Sequence, residues 1–548
     1  MFAFEETLIL LLLTTILSIV ARWTPWPRPI TYVLGGIAFA LVPAFPHLAL
    51  DPGFFFLCFL PPLLFSDGWL MPLREFAKAK RPIILLATGL VVFTTVGIGL
   101  VAHWLVPGLP LAMAFALGAV VSPTDAVAVN AITEKLKIPT RLTIVLNGES
   151  LMNDATGLVA FKFALGALVA GTFSFHAALF DFVLLAGGGL GMGLLVGWLV
   201  GLLRDLLIRT HNADPLIEIT LSLLTPYAAY LAADGLGLSG ILAVVAAGLY
   251  SGWRDPVKMD AETRQTTWTV WSTLLFWLNG LAFVLLGLQF PVLFRAVHGH
   301  YTMLQLLGFV AAVAGTAMVL RVAWFFPGAY LPFVFSHKVR ETETRPAWQV
   351  VFVAGWAGIR GTVTLAAALS IPLWLPDGSA FPARDIVIFL AFGVIVTTLL
   401  LQGTTTEWLI HRLGLKEDDT RQKEDRFART TAVSAGLKVL RESESPHNSV
   451  AKNAALNHVL AEYEERLSEL VAEGETRTHA RERLAAEKHF RFAALEAERK
   501  AVDDLWRRDV ISDEVHRPLQ QLLDHEEAML RAQPKHQAEA VDNLEQPL

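Results

Sequence analysis

Thirteen apolar runs fill the first three-quarters of the chain and leave it few ways to fold. A helix needs about 20 apolar residues to cross the hydrocarbon core of a bilayer. The runs fall at roughly 5–21, 30–48, 53–71, 82–106, 110–132, 140–170, 177–203, 214–233, 238–252, 266–290, 301–330, 347–372 and 384–409. With 54% hydrophobic residues among 548, the chain is too apolar for a soluble protein of this length. Residues 1–410 carry 22 basic and 22 acidic side chains, so the net charge of −6 belongs entirely to residues 411–548, with 22 and 28. The expected fold class is therefore an all-α polytopic membrane protein. Residues 1–410 form about 13 transmembrane helices, and residues 411–548 form a charged, helical cytoplasmic C-terminal domain. The run at 7–21 has no basic stretch before it and no small-residue cleavage site after it, so it reads as a retained first span. The single cysteine, Cys58, supports neither a disulfide nor a CxxC metal site.

Loop charges test the span count. Of the basic residues in the connecting segments, 17 fall in one alternate set of loops (Arg22 to Arg345) and two, Arg295 and Arg384, in the other. Basic residues concentrate in cytoplasmic loops, so the N-terminus is expected outside and the tail in the cytoplasm. Thirteen spans also permit two inverted repeats of six around an unpaired seventh. The fifth span contains Ser122-Pro123-Thr124-Asp125 and the twelfth Gly355 to Thr364, with three glycines and Arg360. Pro123 lacks an N–H and disfavours helix at Ser122. Two interrupted helices at equivalent positions point to a site near the membrane midplane, where freed helix ends offer dipoles and open carbonyls.

The chemistry concentrates in residues 147–162, where Glu149, Ser150, Asn153 and Asp154 interrupt an apolar helix. An ionisable group at this depth costs about 3 kcal/mol on insertion scales, so it must be paired or working. Glu149 to Asn153 and Ser150 to Asp154 are both four apart, which puts all four on one side of the helix. Carboxylate, hydroxyl and amide oxygens suit a hard monovalent cation or a proton rather than a soft metal; the bland reading is a polar patch holding helices together. Asp125 lies midway along span five and Asp154 midway along span six, so the two can share a proton or a cation. Glu149 needs a basic partner, and Arg321 and Arg360 are the candidates. Lys162 reads as a snorkelling or ion-paired residue. Asp67 is either an interfacial cap or a group on the cation access path. Glu218, Asp234, His103, His176 and His411 fall at span ends. No nucleophile–base set or cofactor loop is visible, which excludes a soluble-enzyme reading, and nothing suggests nucleic-acid binding. The tail has helix-favouring runs near 420–441, 450–472, 477–510 and 513–532, broken at 442–449.

G-E-S-L-M-N-D at 148–154, P-T-D at 123–125, L-P-P-L-L-F at 60–65 and G-I-R-G-T-V at 358–363 resemble the monovalent cation:proton antiporters, in their bacterial sodium/hydrogen exchanger branch. The similarity runs through about residues 5–410. It implies a thirteen-helix fold with a dimerisation domain and a mobile core in which spans five and twelve cross. It implies that Asp154 binds Na+ and H+ in competition. Asp125, Ser150 and Thr124 would line the same Na+ site, and Asn153 would be the neutral member beside Asp154. It implies a structural ion pair between Glu149 and Arg321. Electrogenic relatives have aspartate at the position of Asn153, so electroneutral exchange is implied, as is a homodimer active in pH homeostasis. One departure stands out. Many relatives carry an acid where this chain has Ser66, and here the acid is one position later, at Asp67, about 100° away on a helix. The expected function is antiport of Na+, with Li+ and K+ as alternatives, against H+ by alternating access, with no cofactor. The alternatives are a monovalent cation channel or a K+/H+ antiporter whose tail is a regulatory sensor.

Overall fold

Backbone polar groups in hydrocarbon must be satisfied within their own segment, and among the described residues the first unit's regular structure is helical apart from one isolated bridge between Trp374 and Ala380. The computed structural model describes residues 4–42, 52–133, 140–170, 175–210, 214–335, 337–342, 345–375, 378–415, 419–443, 450–471, 474–508 and 510–532. The chain divides into two units, Met1–Glu417 and Asp418–Leu548.

In the first unit, α1 (Phe4–Trp23) and α2 (Arg28–Ala40) are followed by α3 (Pro52–Cys58) and α4 (Leu60–Leu70), which are separated by a turn at Phe59. α5 (Leu73–Ile84) passes through a π-helical turn at Leu85–Leu90 into α6 (Val91–Leu105). Pro82 lies just before that turn and has no N–H for the helical ladder. α7 (Leu111–Val121) and α8 (Ala126–Thr133) are the halves of an interrupted helix. Four long helices come next, α9 (Thr140–Ala170), α10 (Phe175–Arg209), α11 (Pro215–Asp234) and α12 (Gly240–Lys258). They are followed by α13 (Ala261–Leu288), α14 (Phe290–His298), α15 (Met303–Phe335) and α16 (His337–Thr342). α17 (Trp348–Trp356) and α18 (Thr362–Leu369) form a second interrupted helix, and α19 (Arg384–Arg412) closes the unit. Side-chain caps start three of these helices: Asp214 accepts from Leu216 N at 2.7 Å, Ser239 from Leu242 N at 3.3 Å and Asp260 from Thr263 N at 2.8 Å. Among the described residues nine helices are long and apolar enough to cross a membrane, by length and composition alone. The other four expected spans correspond to α2, α12 and the two interrupted helices.

Two sets of neighbours organise the unit. α6, α7, α9, α15, α17, α18 and α19 pack among themselves, as do α1, α2, α4, α10, α11, α12 and α13. The sets meet where α4 and α12 touch α9, α13 touches α18, and α2 touches α8 and α19.

In the second unit, α20 (Asp419–Glu442) and α21 (Val450–Val471) pack around Val433, Leu437 and Leu460. α22 (Gly474–Arg507) and α23 (Asp513–Ala532) pack around Leu495, Leu523 and Leu530. Arg426 donates to the carbonyls of Leu470 and Val471 at 2.6 and 3.0 Å, satisfying the open end of α21. His516 lies 2.9 Å from the Asp503 carboxylate and is stacked on Trp506.

The two interruptions form differently. Ser122 keeps helical dihedrals and its N–H still bonds Gly118 O at 3.0 Å, so the first break begins at Pro123 itself, one residue later than the proline's steric effect predicts. The second begins at Ala357, where the backbone leaves the helical region, and the chain re-enters a helix after extended Gly361. The breaks cross in contact: Asp125 N donates to Ile359 O at 2.8 Å. Glycine is required at 361 by this approach, since a Cβ there would lie 1.8 Å from Asp125 Oδ2. Gly166 on α9 has open space around it. Gly361→Ala is therefore expected to lower the melting temperature of the purified protein by several degrees, while Gly166→Ala leaves it level or slightly raised. Equal melting temperatures would contradict the packing of the two breaks.

Candidate functional site

The site grows from Thr124, the residue that Pro123 frees from the helical ladder. Its carbonyl accepts from Ser150 Oγ at 2.5 Å, and its hydroxyl accepts from Asn153 Nδ2 at 3.0 Å and donates to Glu149 Oε1 at 3.4 Å. Three side chains from one side of α9 thus converge on one residue of the break. This is the side that the four-residue spacing predicts.

Glu149 is 1% exposed and so is Arg321. The guanidinium grips the carboxylate with both terminal nitrogens: Nη1 bonds Oε1 and Nη2 bonds Oε2, the latter at 2.8 Å. A bidentate, charge-assisted pair is among the strongest single polar contacts a chain can make. Arg321 also lies over the Phe325 ring, 4.9 Å from its centroid. Of the two basic partners left open by the sequence, the structure selects Arg321.

Arg360 is fully buried and takes another role. It donates through Nε to Val121 O at 3.1 Å and through Nη1 to Gly358 O, and its own N–H bonds Thr398 Oγ1 at 3.3 Å. Val121 ends α7, and Gly358 lies just past the end of α17. The positive charge is thus set at the negative ends of two half-helices.

Asp125 caps α8, accepting from Val127 N at 2.8 Å and Ala128 N at 3.3 Å through Oδ1. Its Oδ2 faces Gly361. Asp154, one residue beyond Asn153, makes no hydrogen bond or ion pair among the described residues and is 8% exposed. Asp125, Asp154, Ser150 and Thr124 line one cleft, and Asp67 lines it from α4 across the seam. Ser66 is buried and bonds Leu63 O at 2.7 Å. In this chain the side chain that reaches the cleft is therefore the acid one position later. No basic side chain among the described residues lines the cleft. Among the described residues no three His, Cys, Asp or Glu cluster as a chelating group. The oxygens around the cleft are of mixed type: carboxylate, hydroxyl and backbone carbonyl.

Lys162, two turns beyond Asp154 on α9, is exposed. Asn279 of α13 also lines the cleft and was not singled out by the sequence reading. The available signal was a lone carboxamide inside the apolar run Phe276 to Phe283.

Comparison with known proteins gives consistent results. The family profile described as "Sodium/hydrogen exchanger, transmembrane" matches residues 8–412. The chain is 38% identical to the sodium, potassium, lithium and rubidium/H+ antiporter of Bacillus pumilus over 83% of this chain and 68% of the relative. It is 36% identical to YjcE of Escherichia coli, described as an uncharacterized Na+/H+ exchanger, over 96% of this chain and 98% of the relative. The fold is similar to that of the sodium proton antiporter MjNhaP1 from Methanocaldococcus jannaschii, with a TM-score of 0.57 at 20% identity, covering 74% of this chain and 97% of that one.

The Glu149–Arg321 pair generates a stability prediction. Removing one partner of a buried pair leaves the other charge uncompensated, at a cost of about 3–5 kcal/mol. Glu149→Gln and Arg321→Gln are each expected to destabilise the purified protein by about that amount, and the double variant by clearly less than the sum. Additive losses in thermal melts would mean that the two charges act independently.

Proposed function

The chain belongs to the sodium/hydrogen exchanger family, and from that premise we propose that it exchanges cytoplasmic Na+ for protons by alternating access, with Asp154 binding cation and proton in competition. Family membership makes it a multi-pass membrane transporter rather than an enzyme, with ions as substrates and no cofactor. The observation that carries the reading is the Asp154 carboxylate, buried at mid-helix and, among the described residues, without a partner in a cleft that no basic side chain lines. Such a group needs a positive occupant, and a proton and a monovalent cation are the two that fit. Asp125, Ser150 and Thr124 line the same cleft and have further oxygens to offer. Li+ and K+ are plausible substrates beside Na+, since the relative at 38% identity is named for sodium, potassium, lithium and rubidium.

The two helix sets are the moving parts of this reading. α7–α8, α9 and α17–α18 carry the ion, and the set containing α1, α2 and α10–α13 forms the fixed scaffold and homodimer contact. The N-terminus lies outside and residues 411–548 lie in the cytoplasm of a bacterial cell. Exchange is electroneutral because Asn153, whose amide is engaged with Thr124, leaves α9 one free carboxylate to load and unload.

Two measurements in proteoliposomes test the proposal. Asp154→Asn abolishes Na+-driven proton flux while the protein retains its melting temperature; robust residual flux would overturn the role of Asp154. In the unaltered protein, clamping the membrane potential leaves Na+-driven proton flux unchanged. Current accompanying the flux would exclude one-for-one exchange, and current without saturation would indicate a channel.

A further inference from the structure

The cleft has two walls, and the reading above uses only one. Ser150 and Asp154 come from α9 and Thr124 and Asp125 from the crossed breaks. The facing wall is made by α4 and α13, and the polar side chains it offers to the cleft are Asp67 and Asn279. Asn279 is half-buried between apolar neighbours, Phe276, Trp277 and Leu278 before it and Gly280 and Leu281 after it. Its carboxamide has no hydrogen-bond partner among the described residues. A buried amide at this depth ordinarily bonds a neighbouring helix or an ordered water. Here it opens on the cleft that holds the unpartnered Asp154 carboxylate.

We propose that the Asn279 side-chain oxygen is a neutral ligand for the transported cation, contributed across the seam by α13. This inference rests on the exchanger reading. Its physical content is a difference between the two competing occupants. A proton is satisfied by one carboxylate oxygen, whereas a partly dehydrated alkali cation needs several oxygens around it. A neutral amide oxygen adds to the cation's shell without adding a group that can itself be protonated. It therefore strengthens cation binding and leaves proton binding at Asp154 nearly unchanged. Because the ligand sits on the opposite wall, it also sets the width of the shell and so the preference among Li+, Na+, K+ and Rb+.

The test uses full-length protein in proteoliposomes with two variants. Asn279→Leu keeps the side chain's shape and removes the oxygen; Asn279→Ser shortens the side chain and keeps an oxygen. For Asn279→Leu the apparent KM for Na+ is expected to rise about tenfold, the loss of roughly one good polar contact. The factor should be the same at every pH, with the maximal rate retained at saturating Na+. The order of preference among the four cations should change. Asn279→Ser should recover part of the affinity. Na+-dependent thermal stabilisation of the purified protein provides a readout free of transport, and its midpoint should shift to higher Na+ in the Leu variant. An unchanged KM and cation order, with only a lower melting temperature, would reduce Asn279 to a contact between helices and overturn the proposal. Failure of the exchanger reading is distinct: the unaltered protein would then show no Na+-driven proton flux at all.

Discussion

A buried carboxylate–guanidinium pair underlies everything else at the site. Glu149 and Asp154 stand five residues apart on one helix in the hydrophobic part of the chain, and two unpaired acids there would cost about 3 kcal/mol each on insertion scales. Arg321 removes one of them from the account through two parallel hydrogen bonds. What remains is a single uncompensated carboxylate on α9. The pair also positions that carboxylate. Glu149, Ser150 and Asn153 all reach Thr124, so the ion pair on α15 fixes α9, α9 fixes the break between α7 and α8, and Asp154 is left facing the cleft.

The crossed breaks solve a second electrostatic problem. A fully buried arginine ordinarily requires a paired carboxylate. Arg360 instead gives its hydrogen bonds to Val121 O and Gly358 O. Its side-chain hydrogen bonds thus go to carbonyls at helix ends, and among the described residues Asp125 makes no ion pair and serves as the cap of α8. Glycines make this geometry possible. A Cβ at Gly358 would meet the Arg321 side chain at 2.2 Å, and one at Gly361 would meet Asp125.

Much of this was readable from the chain, for reasons that differ by residue. The helical class follows from apolar run lengths. The placement of Glu149, Ser150, Asn153 and Asp154 on one side of α9 follows from spacing alone, because helix geometry is fixed over five residues. The two breaks follow from Pro123 and from the glycines at 355, 358 and 361. The choice between Arg321 and Arg360 did not follow, because both lie at membrane depth and only the packing of α15 against its neighbours separates them. Asp67 was ambiguous for a related reason. A displacement of one residue along a helix turns a side chain by about 100°, and the rotation of α4 against its neighbours decides which side chain reaches the cleft. Asn279 was invisible because a single amide in an apolar helix carries no pattern of its own.

Coupling on the proposed reading needs no element beyond these charges. When the cleft is empty, its carboxylates would have to cross a dry region without compensation as one helix set moves past the other, a cost that rises with each desolvated charge. A proton on Asp154 removes that group's charge directly, and a bound cation offsets it. Both loaded forms can therefore move and the empty form cannot, which is what an exchanger requires to avoid a leak. Simultaneous occupancy is opposed by the same electrostatics, since a protonated carboxyl is a poor ligand for a cation. The neutral groups then have a distinct task. Ser150, Thr124 and Asn279 do little for a bound proton, so their oxygens adjust how strongly the cation competes, while Asp154 determines that competition occurs.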